Sequence, residues 1–199
     1  MTPADDSSEW GKFKNARHDD FWVFGYGSLM WNPGFVHSAV HPATLHGYHR
    51  AFCIYSHFYR GTPERPGLVL GLSPGGQCQG FAFRIERQQA ETVKAYLNER
   101  EMVSYAYVAK TLPVSVGKAS VQSYTFVADK DHSQYAGDLG IDKTAELIME
   151  AKGEAGLNRD YLINTIRRLE AQGFVDQSLH DLLRRIESLT GILDAGAGI

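Results

Sequence analysis

The sequence is short of cysteine, of long apolar runs and of net charge, and each shortage excludes something. Two cysteines in 199 residues, Cys53 and Cys78, form no CxxC pair. They argue against a disulfide scaffold and fit a reducing, cytoplasmic setting. No run of about 18 apolar residues occurs, so no membrane-spanning helix is expected. Residues 1–20 are polar and acidic, with Asp5, Asp6, Asp19 and Asp20, and lack the apolar centre of a secretory signal. Lys and Arg total 20 against 23 Asp and Glu, a charge of −3, which argues against a general nucleic-acid coat. A regular alternation of strands and helices is missing, as is any repeat of fixed period.

What is present is an ordinary globule with a surplus of one residue. Hydrophobic residues make up 43% and charged residues 22% of the chain. Glycine contributes 20 of 199 residues, above the usual ~7%, which predicts turns and close backbone approaches. At roughly 150 residues per domain the length fits one domain, able to fold without a disulfide or a metal. We read residues 1–20 as a flexible arm, 21–190 as that domain and 191–199 as a flexible tail.

Strand patterns cover residues 21–26, 45–55, 68–72, 80–85, 103–112 and 120–128. Ser73-Pro74-Gly75-Gly76 reads as a turn. A helix fits 88–101, and shorter helical patterns fit 143–152, a segment begun by Asn158 as N-cap and stopped by Gly173, and a last helix capped by Asp176. Strands first and helices last predict an α+β fold, a small, mixed but mainly antiparallel barrel with packed helices and a helical C-terminal third.

Five groups of residues are candidates for chemistry. Gly25-Tyr26-Gly27-Ser28-Leu29 ends an apolar strand, and such a loop either turns backbone N–H groups toward an anion or is simply a tight turn. It lacks the third glycine of GxGxxG, the Lys of a P-loop and the frame of GxSxG, so Ser28 is a poor nucleophile. Glu101 shares the helical row of Val93 and Leu97, with Arg100 beside it, so both are expected to be half-buried at a helix end. A desolvated carboxylate suits a general base, whereas an adjoining arginine opposes that shift or makes a merely structural pair. Five histidines, at 37, 41, 46, 49 and 57, lack a metal-site pattern. Arg50, Arg60 and Arg65 border glycine- and proline-rich turns, where they either attract an anion or stand solvated. Cys53 reads as a small buried strand residue.

The segment from Val23 to Trp31 resembles the N-terminal signature of ChaC-type γ-glutamylcyclotransferases. Four further blocks agree in order. They are Tyr59-Arg60-Gly61-Thr62-Pro63-Glu64-Arg65-Pro66-Gly67, Tyr96-Leu97-Asn98-Glu99-Arg100-Glu101-Met102, Tyr135-Ala136-Gly137, and Gly153-Glu154-Ala155-Gly156-Leu157-Asn158 with Tyr161-Leu162. The resemblance implies a γ-glutamylcyclotransferase-like fold and cleavage of glutathione into 5-oxoproline and Cys-Gly, with no metal or organic cofactor. It implies binding of the γ-glutamyl group by Gly25, Tyr26, Gly27, Ser28 and Leu29, with Glu101 as catalytic acid/base. A hydroxyl from Tyr107 or Tyr135 is expected to add a hydrogen bond, and Arg50 and Arg60 to attract the anionic substrate. The expected partner is a small γ-glutamyl peptide, with neither nucleic acid nor membrane, for a monomer or weak homodimer.

One departure stands out. Many relatives carry two glycines and a tyrosine soon after the Arg-Glu pair, where this chain has Met102-Val103-Ser104-Tyr105-Ala106-Tyr107. The segment leaves Tyr105 and Tyr107 as alternatives. It also leaves room for other γ-glutamyl amines or dipeptides as substrates, or for a non-catalytic binding protein of the same fold.

Overall fold

The computed structural model describes residues 20–101 and 106–190. The expected arm, apart from Asp20, the tail and the segment 102–105 lie outside the described residues. Five strands close into a barrel: β1 (Phe21–Gly25), β2 (Ala39–Ser56), β3 (Gly67–Ile85), β4 (Tyr107–Val116) and β5 (Ala119–Ala128). Their order around the barrel is β1-β3-β2-β4-β5, antiparallel except where β1 meets β5 in parallel. Helix α1 (Ala90–Glu101) follows β3. Helices α2 (Gly140–Glu150), α3 (Asn158–Ala171) and α4 (Gln177–Thr190) form the C-terminal part, with a small hairpin of β6 (Lys152–Gly153) and β7 (Gly156–Leu157) ahead of α3. The mixed, mainly antiparallel barrel and the helical last third match the fold expected from sequence.

Burial explains the layering. Phe24, Leu45, Leu72, Ala82, Val114 and Val127 make a cluster drawn from barrel strands alone. Val93 and Leu97 of α1 pack on Val23, Phe83, Ile85 and Phe126. Ile148, Leu162, Leu169 and Ile186 carry α2, α3 and α4 onto Phe52, Leu68 and Leu70. Each helix thus presents one apolar stripe to the core, the pattern that makes a helix stable in water.

Two local expectations are corrected. Residues 73–76 are not a turn between strands, because β3 runs unbroken through them and stays paired with β2. Gly47, Gly75 and Gly76 adopt positive φ there and absorb a register shift between His46 and Tyr48. Gly-rich sequence therefore marks an irregularity within a long ladder. Asn158 does not cap α3, which has Leu157 at its N-cap position and no side-chain cap. Asn158 is instead fully buried, accepting from the Leu68 N–H at 2.7 Å and donating to the Leu68 carbonyl at 2.8 Å.

That pairing follows from unequal strand lengths. β1 has 5 residues and β3 has 19, and their register ends at Gly25 opposite Phe81. The outer edge of β3 near Leu68 thus has no β1 residue beside it, and buried backbone groups there need other partners. Asn158 supplies one donor and one acceptor, as an adjacent strand would. Asn158→Ala should leave two buried backbone groups unpaired and cost about 2–5 kcal/mol. Urea titration should show a lower midpoint with an unchanged slope, and an unshifted midpoint would contradict this role.

Candidate active site

The site grows from the place where β1 leaves β3. After Gly25 the chain turns into a single 3-10 turn, Ser28–Met30, whose Met30 N–H bonds the Gly27 carbonyl at 2.9 Å. Gly80 lets this exit lie close to β3, since a Cβ there would stand 2.3 Å from the Gly25 carbonyl oxygen. The first N–H groups of such a turn have no carbonyl within it.

The C-terminal end of α1 comes to the same loop. Arg100 donates from Nη2 to Ser28 Oγ at 2.9 Å and from Nη1 to the Asn32 carbonyl at 2.6 Å. It also reaches the Pro33 carbonyl and the Tyr96 hydroxyl. Its Nε lies 3.1 Å from Glu101 Oε1, and the Glu101 side chain is 23% exposed. Burial pushes the Glu101 carboxyl above its ordinary value of 4.5, and the charge and hydrogen bond of Arg100 oppose this without cancelling it. Desolvation therefore wins over the neighbouring guanidinium, the condition that a general base near neutral pH requires.

Tyr26, Gly27, Ser28, Leu29, Glu101 and Tyr107 line one cavity of about 90 Å³. Phe24, Leu70, Phe126 and Tyr161 complete its wall. Three tyrosines face this space with hydroxyls that burial pushes above their ordinary value of 10.0. They remain neutral donors at physiological pH. Tyr107 donates to the Leu70 carbonyl at 2.6 Å, again on the outer edge of β3.

Other expected residues lie elsewhere. Gly25 sits directly behind the loop. Arg60 is outside the cavity, donating to the Ala155 and Leu157 carbonyls, with its guanidinium 5.1 Å from the centroid of the Tyr161 ring. Its contact with the site runs through the Tyr161 ring. Tyr135 is corrected: its hydroxyl is 2.9 Å from Ser73 Oγ in a separate cavity of about 470 Å³, so it does not share the space of Glu101. Arg50 is corrected as well, being 4% exposed and bonded internally rather than presented to an anion. Tyr161 joins the site although no sequence pattern singles it out as a site residue, because its place on the apolar row of α3 reads as core. Its hydroxyl was the available signal, since a buried tyrosine needs a polar partner. Among the described residues, no group of three His, Cys, Asp or Glu side chains is placed to hold a metal ion, and no helix is long and apolar enough to cross a membrane.

The barrel with its packed helices has the γ-glutamylcyclotransferase-like architecture. It superimposes with a TM-score of 0.74 on the crystal structure of a γ-glutamylcyclotransferase specific to glutathione from yeast, at 23% identity over 86% of this chain and 97% of that one. Residues 21–189 match the family model described as ChaC-like protein, and the chain belongs to that family. It is 36% identical to the glutathione-specific γ-glutamylcyclotransferase of Escherichia coli (strain K12), covering 84% of this chain and 73% of the relative. It is 31% identical to γ-glutamylcyclotransferase 2-3 of Arabidopsis thaliana, covering 84% and 89% respectively.

The raised carboxyl of Glu101 has a thermodynamic counterpart. Below about pH 4.5 folded and unfolded chains both hold its proton. Between that value and the raised folded one, only the folded chain does. Stability contributed by this group therefore falls as pH rises through the window. Glu101→Gln removes the effect. Paired urea titrations should show the variant gaining on the wild type between pH 4 and pH 7.5, and a constant gap would mean that burial does not raise this carboxyl.

Proposed function

We propose that the chain converts the γ-glutamyl group of glutathione into 5-oxoproline and releases Cys-Gly. The observation that carries this reading is the half-buried Glu101 facing residues 26–29 across one cavity. The Escherichia coli and Arabidopsis relatives, both γ-glutamylcyclotransferases, support it.

In this reaction the substrate's α-amine attacks its own γ-carbonyl carbon. The new C–N bond closes a five-membered lactam, and the amide bond to the cysteine nitrogen breaks. Glu101 removes a proton from the attacking nitrogen and returns one to the departing amine, so neither water nor an oxidant is consumed. A cavity of about 90 Å³ is far below the ~300–1,000 Å³ of sites for drug-sized ligands. It takes the γ-glutamyl end, bent so that amine and carbonyl meet, while Cys-Gly lies outside. Backbone N–H groups at Gly27, Ser28 and Leu29 hold the negative oxygens, and the Tyr107 and Tyr161 hydroxyls complete the wall. Arg60 acts by fixing Tyr161. In this reading residues 21–190 form one domain, working as a monomer or weak homodimer on a small cytoplasmic substrate, without nucleic acid or membrane.

Because the cavity encloses only the γ-glutamyl end, glutathione is to be compared with γ-glutamyl amines and dipeptides. The purified protein should release 5-oxoproline and Cys-Gly in equal amounts from glutathione. Glu101→Gln should lower kcat by about 10²–10⁴-fold. Wild-type turnover in that variant would remove Glu101 from the mechanism, and equal rates on all γ-glutamyl compounds would remove the preference for glutathione.

A further inference from the structure

Arg50 is a buried charge with no part in the cavity of Glu101. It lies on β2, and its side chain is 2% exposed. Each of its three guanidinium nitrogens has a partner inside the protein. Nε donates to the Tyr26 carbonyl at 2.7 Å, Nη2 to the Gln79 carbonyl at 2.7 Å and Nη1 to Asp176 Oδ2 at 2.5 Å. Asp176 is held in turn at the start of α4, where its other oxygen accepts from the Ser178 hydroxyl at 2.6 Å and the Leu179 N–H at 3.4 Å.

We propose that Arg50 is a positioning residue that orients the Tyr26–Gly27 peptide, so that the Gly27 N–H is aimed at the anionic oxygen of the bound γ-glutamyl group. The proposal rests on the cyclotransferase reading of the cavity. A peptide unit is planar, and in the trans form its carbonyl and its N–H point in opposite directions. No peptide bond among the described residues is cis. The carbonyl of the Tyr26–Gly27 unit points at Arg50, so its N–H points away from Arg50. Tyr26 and Gly27 line the cavity and Arg50 does not. The next unit is fixed as well, because the Gly27 carbonyl accepts from the Met30 N–H at 2.9 Å. Gly27 is thus held on both sides, while the space where its Cβ would stand is open but for Leu70 at 4.0 Å.

The guanidinium does more than hold the plane. A charged donor on the carbonyl polarises the amide and strengthens the N–H as a donor at its other end. It also needs no rearrangement when substrate arrives, the property that makes fixed dipoles effective in a site. The pairing with Asp176 keeps the fork of Arg50 in register with two carbonyls at once. A lysine ammonium, a single point charge, would not do this. The start of α4 thereby sets the aim of a loop about 150 residues earlier in the chain.

The test separates positioning from folding. Replacing a buried ion pair by apolar residues of similar volume is often neutral for stability. The double variant Arg50→Met/Asp176→Leu leaves no charge buried alone, but the Tyr26 and Gln79 carbonyls lose their donor and α4 its Asp176 contacts. It should melt below wild type while still folding, and the folded protein should lose about 10–100-fold in kcat/KM for glutathione. Arg50→Lys keeps the charge and the partner Asp176 and should lose activity too, which covers the case of a double variant that does not fold. In both variants the acid limb of the pH profile should stay in place, because Glu101 is untouched. The Gly27 amide should shift in ¹⁵N–¹H spectra and exchange faster with solvent. A folded variant with wild-type kcat/KM, or with an unmoved Gly27 amide, would overturn the proposal. Absence of turnover in the wild type would instead count against the cyclotransferase reading, while the Gly27 amide would still report on Arg50.

Discussion

Buried backbone groups must find partners, and on the outer edge of β3 a neighbouring strand supplies them only in part. β1 pairs with the last residues of β3 and then departs. The exposed stretch of ladder is completed by side chains from distant elements. Asn158 of α3 serves Leu68, Tyr107 of β4 serves the Leu70 carbonyl, and Arg50 reaches the Gln79 carbonyl. An unpaired edge is ordinarily a liability. Here the residues that satisfy it also bring α3, β4 and the glycine loop around one small space. The cavity is a consequence of a short strand beside a long one.

Around that space two arginines act in different ways. Arg100 stands beside Glu101 and favours its ionised form, yet its other nitrogens are spent on Ser28, Asn32, Pro33 and Tyr96. Its charge is shared with neutral acceptors, and desolvation of the carboxylate prevails. Arg50 is directed at the peptide backbone instead, and its countercharge comes from the far end of the domain. One guanidinium ties helix to loop, and the other ties loop to barrel. Rigid support of this kind suits a ring closure that depends on bringing two ends of one substrate together.

Much of this was legible in local pattern. The row Val93, Leu97, Glu101 foretold a half-buried carboxylate at a helix end, and Gly25 to Leu29 announced the loop after a buried strand. What local pattern missed was set by partners far away in the chain. Arg50 lies in a strand pattern bordering turn signals and reads as a cation that attracts an anion or stands solvated, because Asp176, which neutralises it, is 126 residues distant. Asn158 has the residue type of an N-cap, but the vacant edge of β3 claims its amide. Ser73 to Gly76 has turn composition, yet pairing with β2 carries the strand through it. Tyr135 belongs to the quoted family blocks, but its hydroxyl is directed to Ser73 in the other cavity. Periodicity reports which face is covered, not what covers it.

The two cysteines have a consequence of their own. Cys53 is 0% and Cys78 is 2% exposed, and burial pushes both thiols up to about 11. Thiol–disulfide exchange begins with a thiolate that can reach a sulfur, and neither condition is met at either position. A protein proposed to handle a thiol-bearing peptide thus carries no sulfur of its own that could be captured as a mixed disulfide. Its redox surroundings can change what reaches the cavity while leaving the covalent state of the barrel untouched.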